Sequence, residues 1–185
     1  MKVPYNPWYS STYETILDIA NWGRLDAEVD RKIVAIFSWM PQTLMSIRHR
    51  GLRFKFEIYT KEHVTESLAP VAGQFGVLQE SRLAEFDLCG SNREILVRAC
   101  EVLFPILGTV AGSKYLHFSA PKLIPMWDRK IRLGAGCRDS VEGFMDYVRT
   151  FKAELGNECN LQEALREYPN NAVRGWDIVR MKGRR

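Results

Sequence analysis

The chain has few of the residues that build metal and redox sites, with four cysteines and three histidines among 185 residues. The cysteines are Cys89, Cys100, Cys137 and Cys159, and no two of them have the CxxC spacing of a zinc or dithiol site. The closely spaced cysteine quartet that holds an iron–sulfur cluster is also absent. We therefore expect reduced thiols, no bound metal and no cofactor.

Long hydrophobic runs are missing as well. The N-terminal stretch Met1–Trp8 lacks the apolar core of a signal peptide. The longest apolar run is far shorter than the roughly 20 residues that a membrane-spanning helix needs. We expect a cytoplasmic protein that has no membrane partner and acts as a monomer.

The composition is that of a folded globular protein, with 46% hydrophobic and 26% charged residues. Disordered and fibrous classes are excluded, and the length predicts a single domain over residues 1–185. The net charge of +4 and the pI near 8.9 suit a nucleic-acid partner without requiring one. Basic residues cluster within 48–55, 129–132 and 180–185, either as solvated faces or as contacts to phosphates.

Hydrophobic periodicity predicts a mainly α fold. Helices are expected over 12–22, 26–40, 91–105, 109–118, 140–155, 160–168 and 171–181, the third beginning with a capping box at Ser91. Residues 60–78 are amphipathic, but Pro70 and two glycines should break them into pieces. Residues 52–58 alternate strictly, which predicts one small β-hairpin near residues 43–59.

The most informative segment is Leu103–Leu133. It contains a helix, a tight turn near Gly108, the string LGTVAGSKYLHF, a proline-containing loop and the string PMWDRKIR. Backbone N–H groups at a helix N-terminus can bind a phosphate, aided by the helix dipole. Asp128 opens the basic helix, where it can act as the N-cap or as a functional carboxylate.

These strings resemble the helix-hairpin-helix superfamily of DNA base-excision glycosylases. The resemblance implies a helical glycosylase-like domain, with the hairpin at about 103–118 and the aspartate loop and helix at 119–133. It further implies that Asp128 stabilises the oxocarbenium-like sugar of a flipped nucleotide and orients a water molecule. The implied partner is double-stranded DNA.

The resemblance also assigns contacts with DNA and with the base. Thr109, Ser113 and His117 follow one another at i, i+4 and i+8, so they form one polar stripe on a helix. With Trp8 and Trp127, that stripe would line the base pocket, although His117 can instead bond a backbone carbonyl within the core. The implied DNA contacts are Gly108, Val110, Gly112, Lys114, Arg129, Lys130 and Arg132.

Two departures from the family pattern matter. Bifunctional members carry a lysine where this chain has Thr109, and a threonine cannot form an imine, so we expect a monofunctional glycosylase without lyase activity. The usual first glycine positions of the hairpin hold Pro105 and Leu107, which puts contact between the hairpin and DNA in doubt. Lys114 lies one turn further along the helix, where it is expected to meet phosphate or solvent.

Several functions remain open. A non-catalytic helix-hairpin-helix DNA-binding module and a helical interaction protein with an acidic partner are the alternatives to a glycosylase. The excised base is not defined by the sequence, nor is the choice between DNA repair and defence against phage with modified DNA. The geometry of Asp128 separates these hypotheses: the enzyme hypothesis requires its carboxylate to line a solvent-reachable cleft.

Overall fold

The computed structural model describes residues 11–20, 22–39 and 61–183. Within these ranges the chain is mainly helical and contains no β-strand, which confirms the predicted α class. The helices are α1 Tyr13–Ala20, α2 Val29–Trp39, α3 Lys61–Gly76, α4 Gly90–Ser119, α5 Arg129–Gly134, α6 Val141–Leu155, α7 Glu158–Glu167 and α8 Ala172–Gly183. The β-hairpin predicted near residues 43–59 and the predicted pocket residue Trp8 lie outside the described residues.

Helix α4 is the centre of the packing. Helices α2, α3 and α6 contact it, and the buried hydrophobic cluster extends from Tyr13 in α1 to Trp176 in α8. Among the described residues, α4 is also the one helix whose length and composition would allow it to cross a membrane. Half of its most apolar window is buried inside the protein, and core helices commonly share these properties.

Helix α4 is not straight but folds back on itself at Gly108. This glycine has φ 79° and ψ 161°, a conformation that L side chains rarely adopt. A Cβ atom on Gly112 would lie 3.4 Å from the carbonyl carbon of Leu103 and 2.7 Å from Cδ1 of Phe104. Nine residues along a straight helix would separate such groups by about 13 Å. Residues 90–107 and 109–119 are therefore the two arms of a helical hairpin, as the sequence predicted.

Two local predictions were wrong. Helix α3 runs without a break through Pro70, because Pro70 is exposed while Val64, Leu68 and Phe75 are buried and hold both halves against the core. The capping box at Ser91 does not form: α4 begins at Gly90, and the preceding residue makes no side-chain capping bond.

The last three helices follow the predicted order. Ser140 caps α6 by accepting a hydrogen bond from the N–H of Gly143 at 3.1 Å. Helix α8 packs most extensively against α7, and a Cβ on Gly175 would lie 1.9 Å from the carbonyl oxygen of Ala164. Only glycine permits this approach. The close packing fixes α8, whose inner face carries the buried Arg174 and Asp177.

The turn at Gly108 provides a direct test of the hairpin. Gly108→Ala should lower the free energy of unfolding by about 1–3 kcal/mol, because alanine is strained at this φ and ψ. Gly73→Ala is the matched control, since Gly73 is an exposed residue of α3 and a methyl group added there would have no atom within 4 Å. The free energy of unfolding of this control should rise by about 0.4–1 kcal/mol. Urea unfolding measures both, and equal effects of the two substitutions would contradict the assigned turn.

Candidate functional site

A cavity of about 100 Å³ lies between α4, the loop before α5, α6 and α8. Its charged lining residues are Lys114, Asp128, Arg174, Asp177 and Arg180. Aromatic and aliphatic side chains form the remaining wall, including Trp127, Tyr147 and Met126. The cavity therefore combines apolar surface with charges of both signs, which is the composition expected of a small-molecule or base-binding site.

Asp128 both caps a helix and lines the cavity. Its Oδ1 accepts a hydrogen bond of 2.7 Å from the N–H of Ile131, so it is the N-cap of α5. The same half-buried side chain lines the cavity. Its Oδ2 accepts no hydrogen bond from the residues that the structure describes. One oxygen is thus fixed by the protein while the other remains available to a ligand.

The position of Lys114 differs from the predicted one. It was expected to meet phosphate or solvent, yet it is 1% exposed and lines the cavity. Its Nζ has no hydrogen-bond partner among the described residues. Desolvation lowers the pKa of this amine to about 8, although the charge of Asp128 acts in the opposite direction. The second arm of the hairpin is packed on all sides, so Lys114 can reach only the cavity.

Asp177 is a second carboxyl group of the cavity, supplied by α8. It is 4% exposed and accepts a hydrogen bond from the N–H of Met126 at 3.2 Å. Burial raises the pKa of Asp177 to about 7, although the Arg174 guanidinium acts against that shift. Near neutral pH this carboxyl group is therefore present in both its acid and its anionic form.

The aromatic wall is formed by Trp127 and Tyr147, whose ring centroids lie 5.0 Å apart. Trp127 lines this cavity, and its predicted contact with a base stays a prediction. It is fully buried, and its Nε1 has no hydrogen-bond partner among the described residues. Arg180 lies over the Tyr147 ring at 5.6 Å and pairs with Glu154 at 3.5 Å, which holds its guanidinium at this wall.

Ser113 and His117 were predicted to line the pocket, and the structure places them elsewhere. Both are 0% exposed, and neither borders this cavity. His117 Nδ1 donates to the carbonyl oxygen of Ile124 at 2.5 Å, and its Nε2 accepts from the Tyr13 hydroxyl at 2.8 Å. Burial lowers the pKa of His117 to about 3, so the ring is neutral. The alternative interpretation, a core histidine that bonds a carbonyl, is the correct one.

Thr109 is also outside the cavity. Its hydroxyl donates to Asp139 at 2.5 Å, and Asp139 pairs with Arg132 at 3.7 Å. This network joins the hairpin turn to α5. The side chain of Arg132 is 15% exposed and is paired with Asp139, so it is less available to a phosphate than the predicted DNA contact requires.

The remaining predicted DNA contacts divide into two groups. Gly112 is buried against Phe104, where the two arms of the hairpin come close together. Because it is buried, Gly112 is unavailable to DNA. Gly108 and Val110 are half-buried at the turn, and Arg129 and Lys130 are exposed immediately after Asp128. Two exposed positive charges therefore follow directly after the cavity residue Asp128 in the chain.

Sequence reasoning missed the contribution of α8. Arg174, Asp177 and Arg180 recur at intervals of three residues, which places them on one face of the helix. The sequence analysis assigned Arg180 only to the basic cluster within 180–185. The sequence pattern that could have identified them is a set of charged residues on the same helix face as apolar residues, because charged side chains are seldom buried without a role.

No protein-family model, no curated protein and no solved structure matches this chain. The chemistry of the cavity must therefore be argued from its residues. A fixed carboxylate suits a developing positive charge, a buried carboxyl group that titrates near neutrality suits proton transfer, and aromatic rings suit a planar ligand. Among the described residues, no group of three or more histidine, cysteine, aspartate or glutamate side chains is arranged to hold a metal ion.

The buried amine of Lys114 predicts a pH-dependent stability. The pKa of Lys114 is lower in the folded chain, about 8, than in the unfolded chain, 10.5. Burial of its charge therefore costs stability below pH 8, and this cost disappears as the pH rises towards 10.5. Lys114→Met should raise the free energy of unfolding by about 3 kcal/mol at pH 7, with a gain that shrinks from pH 8 to 10.5.

The control is Lys130→Met, which removes an exposed lysine and should leave stability nearly unchanged at each pH. Urea unfolding at a series of pH values measures both variants. A stabilisation by Lys114→Met that stays constant from pH 7 to 10.5 would contradict the lowered pKa.

Proposed function

We propose that this protein is a monofunctional DNA N-glycosylase. It flips a damaged or modified nucleotide out of the duplex and hydrolyses the bond between base and sugar, which leaves an abasic site. The observation that carries the proposal is the position of Asp128, a carboxylate with one oxygen fixed by α5, in the wall of a cavity with aromatic sides. A flipped base stacks on such aromatic side chains.

The proposed reaction uses both carboxyl groups of the cavity. As the glycosidic bond breaks, its electron pair leaves with the base and the sugar gains positive charge at the anomeric carbon. The Asp128 carboxylate stabilises this charge more in the transition state than in the ground state. A water molecule then adds to the anomeric carbon and gives up a proton to Asp128. Asp177, partly protonated near neutral pH, is the candidate donor of the proton that the departing base takes up.

The surface around the cavity supports a DNA partner. Arg129 and Lys130 are exposed directly after Asp128, and the half-buried turn at Gly108 lies at the start of the second arm of the hairpin. Lysine and arginine side chains neutralise phosphates, and backbone N–H groups at a helix start can add contacts. These groups would hold the strand on either side of the flipped nucleotide.

A non-catalytic helix-hairpin-helix DNA-binding module is the second candidate. It is favoured by Pro105 and Leu107 at the usual glycine positions of the hairpin and by the capping bond of Asp128. Such a module would bind duplex DNA without changing it. A helical interaction protein, the third alternative, would neither bind nor change duplex DNA.

One experiment separates these candidates. The protein is incubated with duplexes that each carry one modified base and with genomes of phage that contain modified DNA, and alkali then reveals abasic sites. We expect strands that remain intact until alkali is added, because Thr109 occupies the lysine position of bifunctional relatives. Binding without alkali-labile sites would favour the non-catalytic module, and strand cleavage before alkali would contradict the monofunctional mechanism.

Asp128→Asn tests the proposed chemistry. Asparagine caps a helix about as well as aspartate, so folding and DNA binding should stay nearly unchanged. The single-turnover rate of excision should fall by about 100-fold or more, because the charge that stabilises the sugar cation is lost. Asp146→Asn, which removes an exposed carboxylate of α6 outside the cavity, is the matched control and should keep full activity. Full activity of Asp128→Asn would rule out this mechanism.

The salt dependence of DNA binding tests the proposed surface. Lys130→Ala should lower the slope of log affinity against log salt by about one, because an exposed phosphate contact is lost. Arg132→Ala is the comparison, and its slope should change little since Arg132 is paired with Asp139. Binding titrations over a salt series measure both slopes. A normal slope for Lys130→Ala together with a reduced slope for Arg132→Ala would place the DNA on a different surface.

A further inference from the structure

Two buried N–H donors without partners belong to residues that line the same cavity. Lys114 Nζ and Trp127 Nε1 have no hydrogen-bond partner among the described residues, and both side chains are at least 99% buried. A buried donor that lacks a partner costs about 1–3 kcal/mol, and more when it is charged. Such groups are rare in folded proteins, so two in one cavity call for a common explanation.

The two donors define the ligand that would satisfy them. An ammonium group and an indole N–H donate hydrogen bonds and accept none. A carbonyl oxygen on a planar ring can accept a hydrogen bond from either of them. An exocyclic amino group would place its own N–H donors against these donors, and no hydrogen bond would form. The aromatic wall of Trp127 and Tyr147 suits the planar ring itself.

The charges of the cavity narrow the ligand further. Lys114, Arg174 and Arg180 contribute three cationic groups, against the two carboxyl groups of Asp128 and Asp177. Arg180 is paired with Glu154 at 3.5 Å, whereas the ammonium group of Lys114 has no hydrogen-bond partner among the described residues. A base that accepts a hydrogen bond from this ammonium group is repelled by it if the ring itself carries a positive charge, as in N7-methylated guanine.

On the basis of the proposed function, we infer that the cavity selects neutral bases produced by deamination, such as uracil and hypoxanthine, through hydrogen bonds from Lys114 and Trp127 to their carbonyl oxygens. Deamination replaces the amino group of cytosine or adenine by a carbonyl oxygen, so the deaminated base offers these two donors one more carbonyl acceptor than its parent does. A site built to hydrogen-bond one edge can reject the wrong edge by large factors. Thymine and guanine also carry carbonyls, but their pairing makes flipping more costly than for a G·U or I·T mispair.

The first test measures binding of free bases to the full-length protein, which is independent of catalysis. Uracil and cytosine are titrated at pH 7 and followed by tryptophan fluorescence, as are hypoxanthine and adenine. We expect each deaminated base to bind at least tenfold more tightly than its amino parent. Lys114→Met, which should fold stably, is expected to lose most of this preference. Lys61→Met, which removes an exposed lysine of α3 outside the cavity, is expected to retain it.

The second test measures excision from duplexes of one sequence that contain G·U, I·T, G·C or 7-methylguanine opposite cytosine. We expect excision of uracil and hypoxanthine only. Preferential excision of 7-methylguanine would overturn the inference and leave the glycosylase function intact. Selective binding of uracil and hypoxanthine without any excision would support the cavity chemistry and overturn the proposed function. Equal binding of uracil and cytosine, or no binding of either, would overturn the inference.

Discussion

The close contact between the two arms of α4 is the constraint on which the cavity depends. Gly108 turns the chain, and Gly112 allows the second arm to lie against Leu103 and Phe104. The second arm carries Lys114 into the interior, where it lines a cavity together with Trp127 and with residues of α6 and α8. A side chain at Gly112 would force the Phe104 ring to move, since Cδ1 of that ring would lie 2.7 Å from the added Cβ. The hairpin is thus primarily an element of core packing.

Burial gives the cavity its chemistry. Burial shifts the amine of Lys114 and the carboxyl group of Asp177 towards their neutral forms, with pKa values of about 8 and about 7. Asp128 is half-buried, and one of its oxygens accepts a hydrogen bond from a backbone N–H at the start of a helix. Carboxyl groups in different environments can take different roles in one reaction, with one as a fixed charge and the other as a proton donor. The proposed glycosylase mechanism assigns these roles to Asp128 and Asp177.

Much of the helical architecture could be predicted from the sequence, and the cavity could be predicted only in part. Periodicity located the helices, and Gly108 located the turn, because both signals are local. Asp128 and Trp127 were found for the same reason, within one short segment. The prediction of which helix face lines the pocket was wrong. The polar stripe at i, i+4 and i+8 was expected to contact the base, but Ser113 and His117 make their hydrogen bonds inside the core. Lys114, one position away on the helix, faces the cavity instead. The second arm of α4 is buried on nearly all sides, so its periodicity does not show which side faces a cavity. Part of the cavity wall is formed by α8, and the position of α8 depends on the close contact of Gly175 with Ala164.

The central claim is that the Asp128 carboxylate stabilises a positively charged sugar in this cavity. The most direct measurement compares affinities for two duplexes, one containing a cationic pyrrolidine in place of the sugar and one containing an uncharged tetrahydrofuran. The account predicts that the wild-type protein binds the pyrrolidine duplex about 100-fold or more tightly, as expected for a transition-state analogue, and that Asp128→Asn removes most of this preference. Equal affinities for the two duplexes, or a preference that survives in Asp128→Asn, would contradict it.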